Sequence, residues 1–236
     1  MKVIILAGGL GTRLGEMTRK IPKPMVPVGG KPIIWHIMNL YAHYGHKDFY
    51  LALGYKANEL IKYTKKLSKK HPDWKINAVD TGLKTLTGGR AKQISKLIGN
   101  EACFLTYGDG VSNINLDKLL KFHKRNKKLA TVSAVRPVAR FGELHLKGNA
   151  VVSFKEKPQM QKGWINGGFF ILEPGFFKLI QNNKIMLERE PIEKATQLGE
   201  LVAYKHYGFW QCMDSPRDRA ILENLYSKKN TPWIDL

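Results

Sequence analysis

Met1-Lys2-Val3-Ile4-Ile5-Leu6-Ala7 runs directly into Gly8-Gly9-Leu10-Gly11-Thr12-Arg13, and Pro22-Lys23-Pro24 follows shortly after. The first stretch is apolar apart from Lys2 and rich in β-branched side chains, which suits a buried strand. A strand that empties into a glycine-rich turn sets backbone N–H groups at the carboxyl edge of a sheet. Phosphates bind there because those N–H groups converge on an anion and no Cβ blocks the approach. Arg13 and Lys23 bring two cations to the same place. Prolines on both sides of Lys23 restrict the backbone that presents its ammonium. The stretch is not a Walker A loop, since no Gly-Lys-Ser/Thr follows. It is not Gly-x-Gly-x-x-Gly either, which removes the main support for hydride transfer.

Working outward, strand candidates at about 2–7, 47–53, 75–79, 102–107 and 129–136 alternate with helical stretches at about 31–44, 56–70, 89–98 and 115–126. That alternation predicts a layered α/β fold with a mostly parallel sheet. Pro32 suits the first turn of its helix, and Asn115 or Asn113 suits the cap of the helix holding Leu116, Leu119, Leu120 and Phe122. After residue 136 the pieces shorten: strands are expected near 142–147, 150–155, 168–173 and 201–206, and a last helix near 216–228. They read as mixed or antiparallel additions to the same sheet. The expected fold class is α/β: a Rossmann-like, mostly parallel mixed sheet flanked by helices, with small antiparallel additions in the C-terminal half. No low-complexity linker or internal repeat divides the chain, so one domain over 1–236 is expected.

A length of 236 residues with 43% hydrophobic content supplies a substantial core. No run of about 18 apolar residues occurs, so no membrane span is expected. The N-terminus lacks a signal-peptide pattern, and a cytoplasmic location is expected. Cys103 and Cys212 both lie in apolar, strand-like surroundings and read as free thiols. Thirty-nine basic against nineteen acidic residues leaves +20, which invites a polyanionic partner. The lysines, however, fall as Lys65-Lys66, Lys69-Lys70, Lys127-Lys128 and Lys228-Lys229, not in one stripe interleaved with aromatics. A nucleic-acid partner is therefore not expected. None of the seven histidines makes a ligand pattern; His36 faces the core on its helix, and His145, His206 and the others read as surface or strand residues.

Two aspartates stand at informative places. Asp109 follows the apolar run Ala102–Tyr107 and precedes Gly110; Asp214 follows another apolar stretch and opens Asp214-Ser215-Pro216, a good helix start. Several segments together resemble the sugar-1-phosphate nucleotidylyltransferases. They are Gly8–Leu14 with Pro22–Met25, Asp80-Thr81-Gly82, Thr87-Gly88-Gly89-Arg90, Tyr107-Gly108-Asp109-Gly110, Arg140-Phe141-Gly142, Glu156-Lys157-Pro158, Ile165–Phe170 and Gly208–Asp214. Within that family they look most like the glucose-1-phosphate cytidylyltransferase branch, and they cover nearly the whole chain in order.

The resemblance implies transfer of a nucleotidyl group from an NTP to a phosphomonoester with release of pyrophosphate. It implies that residues 1–136 mainly bind the NTP and 137–236 mainly bind the acceptor and add a second metal ligand. Arg13 and Lys23 are the implied catalytic cations. Leu6, Ala7, Gly8, Gly9, Gly11, Thr12, Thr81, Gly88, Gly89, Arg90, Gly108 and Asp109 join them around the nucleotide, with Arg90 donating to cytosine O2 or N3. Tyr107, Arg140, Glu156, Lys157, Asn166, Gly167 and Trp210 fall on the acceptor side, with Trp164 as a further wall. Asp109 and Asp214 are implied ligands of one Mg²⁺. The implied partners are CTP and a phosphorylated small-molecule acceptor, with a homo-oligomer and no membrane.

The chain departs from the branch in two places. Only Ser68 to Val79 fills the gap before Asp80, where relatives are longer, and Glu143 stands where a small apolar residue is usual. Acceptor and oligomeric state stay open accordingly. The alternatives are a non-glucose acceptor (another sugar phosphate, a small phosphate or a phosphoramidate), UTP or dTTP in place of CTP, and a non-catalytic nucleotide- or RNA-binding protein.

Overall fold

In chain order the strands of this computed structural model are β1 (Lys2–Leu6), β2 (Pro27–Val28), β3 (Lys31–Pro32), β4 (Asp48–Leu53), β5 (Lys75–Asp80), β6 (Cys103–Tyr107), β7 (Gly110–Ser112), β8 (Ala130–Val135), β9 (Glu143–Lys147), β10 (Ala150–Lys155), β11 (Ile165–Leu172), β12 (Leu201–Lys205) and β13 (Trp210–Cys212). The helices are α1 (Glu16–Lys20), α2 (Ile33–His43), α3 (Ala57–Lys70), α4 (Thr87–Ile98), α5 (Leu116–Asn126), α6 (Glu190–Gln197) and α7 (Pro216–Ser227). The structure describes residues 1–137, 143–155 and 163–235.

Seven strands form one sheet in the order β12-β8-β11-β6-β1-β4-β5. All neighbours are parallel except β11, which runs antiparallel to both β6 and β8. The α/β expectation therefore holds, with a single reversed strand in the interior of the sheet. Alternation along β1 divides the core. Val3, Ile5 and Ala7 join α2, α3, α5 and α7 through Ile33, Leu60, Leu119 and Leu222. Ile4 and Leu6 join the other face with Ala91 and Ile94 of α4 and Ala195 of α6. Both sets are buried, so β1 is covered on two sides.

The strand order reverses at β1, which has β4 on one side and β6 on the other. The carboxyl ends of β1 and β6 thus flank a switch-point crevice, where ligands of open α/β sheets bind. Because β11 runs the other way, its first residues reach the same edge. The β7–β13 pair lies beside it, with Cys212 opposite Gly110.

Several local expectations shift. The helix expected from residue 31 begins at Ile33: Pro32 has ψ 144°, pairs with Pro27 and precedes the first turn. Helix α4 begins at Thr87, two residues before the expected 89. Strand β11 begins at Ile165, not 168; Gly167 and Gly168 are absorbed by a register shift between Asn166 and Phe170, with Gly168 at φ +80°. Asn115 caps α5, accepting from Lys118 N at 2.8 Å. Cys103 and Cys212 are free. His36 is buried, as expected; His123, expected at the surface, is buried between Thr131 Oγ1 (2.8 Å) and Glu173 (3.1 Å). No helix among the described residues is long and apolar enough to cross a membrane.

Among the described residues the hairpin β9–β10 pairs only with itself. Leu146 lies opposite Val151 and Leu144 opposite Phe154, and all four are more than half exposed.

Candidate active site

Two aspartates 105 positions apart meet because of the β7–β13 pairing. Asp109 occupies the turn between β6 and β7; the pairing continues past Cys212, with Met213 N donating to Asp109 O at 2.8 Å. Asp214 follows immediately. The start of α7 fixes it: Asp218 accepts from the backbone N–H of Asp214 (3.1 Å) and Ser215 (2.9 Å). Ser215 is the helix cap, in a capping box with Asp218. The cap thus falls one residue beyond Asp214, which leaves the Asp214 carboxylate to face the crevice.

Lys23 lies between the two carboxylates. Its Nζ is 2.6 Å from Asp109 Oδ2 and 2.5 Å from Asp214 Oδ1. Arg13 Nη1 donates to the second Asp214 oxygen at 2.8 Å. The Lys23 side chain is only 13% exposed, whereas Arg13 is 77% exposed. Burial pulls the Lys23 pKa down, but Asp109 and Asp214 outweigh it and the net movement is upward. Lys23 therefore stays an ammonium. Gly11 makes room for it: a Cβ there would sit 2.8 Å from Lys23 Cβ, and φ is +67°.

Two cavities open on either side of this cluster. One of about 480 Å³ is lined by Leu6 to Arg13, Lys23 and Gly108, and by Leu83 and Leu86. The other, about 590 Å³, is lined by Tyr107, Asn166, Gly167, Glu188, Trp210 and Cys212, among others. Arg13, Tyr107, Asp109 and Asp214 belong to both. The charged cluster is the junction of the two.

The sequence-derived nucleotide set separates under this geometry. Leu6, Ala7, Gly8, Gly9, Gly11, Thr12, Arg13, Lys23, Arg90, Gly108 and Asp109 line the first cavity. Thr81 is buried behind it, donating to Leu53 O at 2.6 Å. Gly88 and Gly89 face the 183–187 segment, where a Cβ would come within 2.8 Å of Ile185 O and 2.6 Å of Asn183 O. Arg90 is neither solvated nor turned outward; it is 4% exposed and donates to backbone carbonyls.

On the second cavity, Trp210 Nε1 donates to Gly167 O (2.7 Å), and Asn166 Nδ2 donates to Tyr107 Oη (3.3 Å). Trp164 instead packs against Tyr207 and under Arg136. Arg140, Glu156 and Lys157 lie outside the described residues. Cys212 is a protonated thiol, pushed up to about 11 by burial and then by Asp214 and Asp109, so it is no resident nucleophile.

Sequence reasoning missed two groups. Glu188 reaches the second cavity from the residues before α6, held by Thr87 Oγ1 at 2.6 Å, which itself accepts from Leu187 N. Burial and then the Glu188 charge push the Tyr107 phenol above its ordinary pKa. Leu83 and Leu86, exposed at 60% and 40%, flank the first cavity. Their signal was available: two apolar residues in a short polar loop.

Among the described residues no cluster of three or more His, Cys, Asp or Glu side chains forms a metal cage. Two carboxylates bridged by one ammonium do fit a hard cation such as Mg²⁺, which takes one or two carboxylates and completes its shell with phosphate oxygens and water.

Comparison with known proteins agrees with this arrangement. The family model "Nucleotidyl transferase" matches residues 2–211. The chain is 43% identical to glucose-1-phosphate cytidylyltransferase of Salmonella typhimurium, covering 99% of this chain and 98% of that one. It is 39% identical to a probable glucose-1-phosphate cytidylyltransferase of Bacillus subtilis, covering 99% of both. In fold it is similar to a putative glucose-1-phosphate thymidylyltransferase from Bacillus anthracis, with TM-score 0.77 at 19% identity over 95% of this chain and 94% of that one. A glycine loop at the β1 end, two cations and two convergent aspartates thus occur in a chain that belongs to the nucleotidyl transferase family.

Proposed function

We propose that this protein is a cytidylyltransferase that moves CMP from CTP to a sugar 1-phosphate of the glucose 1-phosphate type and releases pyrophosphate. The observation that carries the reading is the cluster Lys23–Asp109–Asp214–Arg13 at the junction of two cavities. The near full-length relatives supply the choice of CTP and of the acceptor class.

The chemistry needs an acceptor phosphate oxygen to attack the nucleotide α-phosphorus. The α–β phosphoanhydride bond then breaks, and pyrophosphate leaves with its electron pair. Both reactants are anions, so catalysis amounts to holding them together and neutralising charge that spreads over the transferring group. In this reading each reactant takes one of the two cavities and meets the other at the charged cluster they share. Residues 1–136 hold the nucleotide against the glycine loop, between Leu83 and Leu86 on one side and Gly108 on the other. Residues 137–236 add the acceptor wall and the second carboxylate. Lys23, partly buried and charged, sits where the α-phosphoryl group and the incoming phosphate meet; Arg13, exposed at the rim, swings to the leaving phosphates. Asn166 and Glu188 offer donors and acceptors to acceptor hydroxyls. Asp109 and Asp214 would hold Mg²⁺, which when bound supplies further neutralisation across the phosphates. The CDP-linked product suits a role as an activated precursor for surface glycans. The exposed apolar face of β9–β10 supports a homo-oligomer.

The test is pyrophosphate release, measured with CTP, UTP and dTTP against a panel of sugar 1-phosphates and small phosphates, with Mg²⁺. Release is expected from CTP with a sugar 1-phosphate. Release from no pair, together with RNA binding of steep salt dependence, would replace the enzyme by a binding protein.

A further inference from the structure

The buried imidazole of His36 takes no part in the chemistry above, and its partners lead to residues past α7. Trp233 lies in a turn closed by Ile234 N and Asp235 N, which both donate to Thr231 O (2.8 and 3.0 Å). The turn carries the indole back into the core, where it is 1% exposed. Its Nε1 donates to His36 Nδ1 (3.3 Å), and His36 Nε2 in turn donates to Val28 O (2.9 Å). That pattern requires the neutral ring with its proton on Nε2. Burial, the largest influence on the ring, holds its pKa below the ordinary value. The indole also stacks on Phe209, with centroids 5.4 Å apart and planes at 25°.

Val28 is one of three successive residues held in this way. Arg219 Nε of α7 donates to Pro27 O (3.0 Å), and its Nη2 donates to Glu223 Oε1 (2.9 Å). Glu223 with its other oxygen accepts from Gly29 N (3.1 Å). Tyr226 covers the turn: a Cβ on Gly29 would lie 2.3 Å from its ring, and Gly29 has φ +56°. These residues stand just past Lys23. Pro24, Pro27 and a turn in which Val26 N donates to Lys23 O (3.1 Å) join the two, so the connecting backbone has little freedom of its own. Contacts that fix 27–29 therefore fix the Lys23 backbone as well. The same helix is capped by Ser215, one residue after Asp214, and Phe209 leads into β13 through Trp210. One element thus holds both stretches of chain whose side chains meet in the Lys23–Asp214 pair.

We propose that Arg219, Glu223 and Trp233 are positioning residues for the reaction: α7 and the turn after it brace the Lys23 segment against the Asp214 segment, so that the ammonium keeps its place between the two carboxylates and the reacting phosphates. None of the three lines either cavity, so their effect passes through the residues they hold. This role rests on the nucleotidyl-transfer reading above. A misplacement of about 1 Å in a reacting group costs on the order of 10²-fold in rate. Binding of CTP, which the glycine loop also supports, depends on the brace far less.

Arg219→Gln and Trp233→Phe test it. The first removes the Pro27 contact from a side chain that is 32% exposed. The second keeps an aromatic ring on Phe209 and deletes the N–H to His36. Leu67→Val, a buried change on α3, is the control for stability alone. Each protein is melted by calorimetry, then assayed well below its Tm for pyrophosphate release from CTP with a sugar 1-phosphate and Mg²⁺. In Arg219→Gln and Trp233→Phe kcat is expected to fall by about threefold or more, with KM for CTP within about twofold of wild type. Leu67→Val should keep its kcat while losing Tm. An unchanged kcat in both test variants overturns the proposal. So does a raised KM at constant kcat, or a kcat loss of equal size in Leu67→Val. Should Trp233→Phe not fold, Glu223→Gln takes its place with the same expected split, and an unaltered kcat there overturns the proposal. Absence of pyrophosphate release from the wild type with every nucleotide and acceptor would instead strike the cytidylyltransferase reading, and this inference would fall with it.

Discussion

The two edges of the central sheet are built from the same kinds of charged residue and do different things with them. At the amino edge, before β1, β4 and β5, each lysine has a carboxylate of its own: Lys2 with Glu101 (3.5 Å), Lys47 with Asp73 (2.7 Å) and Lys75 with Asp48 (3.7 Å). That edge even has a cavity, of about 420 Å³. At the carboxyl edge one partly buried lysine is shared by two aspartates, and a buried arginine is held by neutral oxygens. Pairwise neutralisation at the surface leaves nothing over for a ligand. Shared and unanswered charge, partly out of water, leaves a site that a polyanion and a cation together can complete. The difference also shows that a cavity without such charge sharing is weak ground for a site.

The largest effect that tests this contrast is removal of divalent metal. Chelation with excess EDTA is expected to bring pyrophosphate release to background, with recovery on adding Mg²⁺; full turnover in EDTA would leave Asp109 and Asp214 without the part assigned to them. Next come Lys23→Ala and Arg13→Ala. Loss of a charge-assisted contact that strengthens in the transition state costs ~10²–10³ in rate, so turnover should fall by that factor in each. An unaltered turnover number in either variant would show that the carboxyl-edge cation in question serves only to pair with acid, like the lysines of the opposite edge.

Much of this contrast was legible in the sequence, for a physical reason. Strand β1 could be read because Val3, Ile5 and Ile4, Leu6 are apolar on both faces, and the glycine loop because Gly8 to Arg13 follows it without a gap. Asp109 and Asp214 could be paired only by resemblance; what brings them together is the register of β7 on β13, a contact across 100 residues that no local pattern encodes. Glu188 could not be singled out, since Glu190 and Glu193 stand beside it and the choice is made by Thr87 on another element. That Arg90 is buried could not be read, because its contacts with Leu53, Thr81 and Gly8 exist only once β1, β4 and β5 lie side by side. The start of β11 was misplaced because two glycines look like a turn, whereas here they accommodate Ser133 and the Tyr107 ring.

A smaller effect belongs to the amino edge and concerns pH. His46 is pushed down to about 4 by burial first and by the Met1 ammonium second, with Asp117 opposing. Its Nε2 is buried without a partner. In the unfolded chain the ring takes up a proton near the ordinary value of about 6.5; in the folded chain it does so only near 4. Between those two values the unfolded state binds the extra proton, so stability falls as pH drops through that window. His46→Gln should flatten the slope, making the fall in Tm between pH 7.5 and pH 5 smaller by about 2–4 °C. An identical slope in wild type and variant would mean that other histidines, such as His36 and His206, whose pKa values are also lowered by burial, carry the whole effect.

The smallest expected effect is the one that the contrast most needs. Lys47→Ala removes one partner of an exposed pair, with the Lys47 and Asp73 side chains 42% and 54% exposed. Exposed pairs contribute little, because water screens the attraction and two long side chains lose freedom to form it. The backbone is untouched: Lys47 O still accepts from Lys75 N at 2.8 Å. Asp73 has its carboxyl held below the ordinary range chiefly by the hydrogen bond from Lys47, so in the variant its titration, followed by NMR, should move up. Tm is expected to change by no more than about 2 °C, and pyrophosphate release not at all. A loss of turnover approaching that of Lys23→Ala would mean that charge at the amino edge is felt at the other end of the strands, and the distinction between paired and shared lysines would no longer explain where the active site lies.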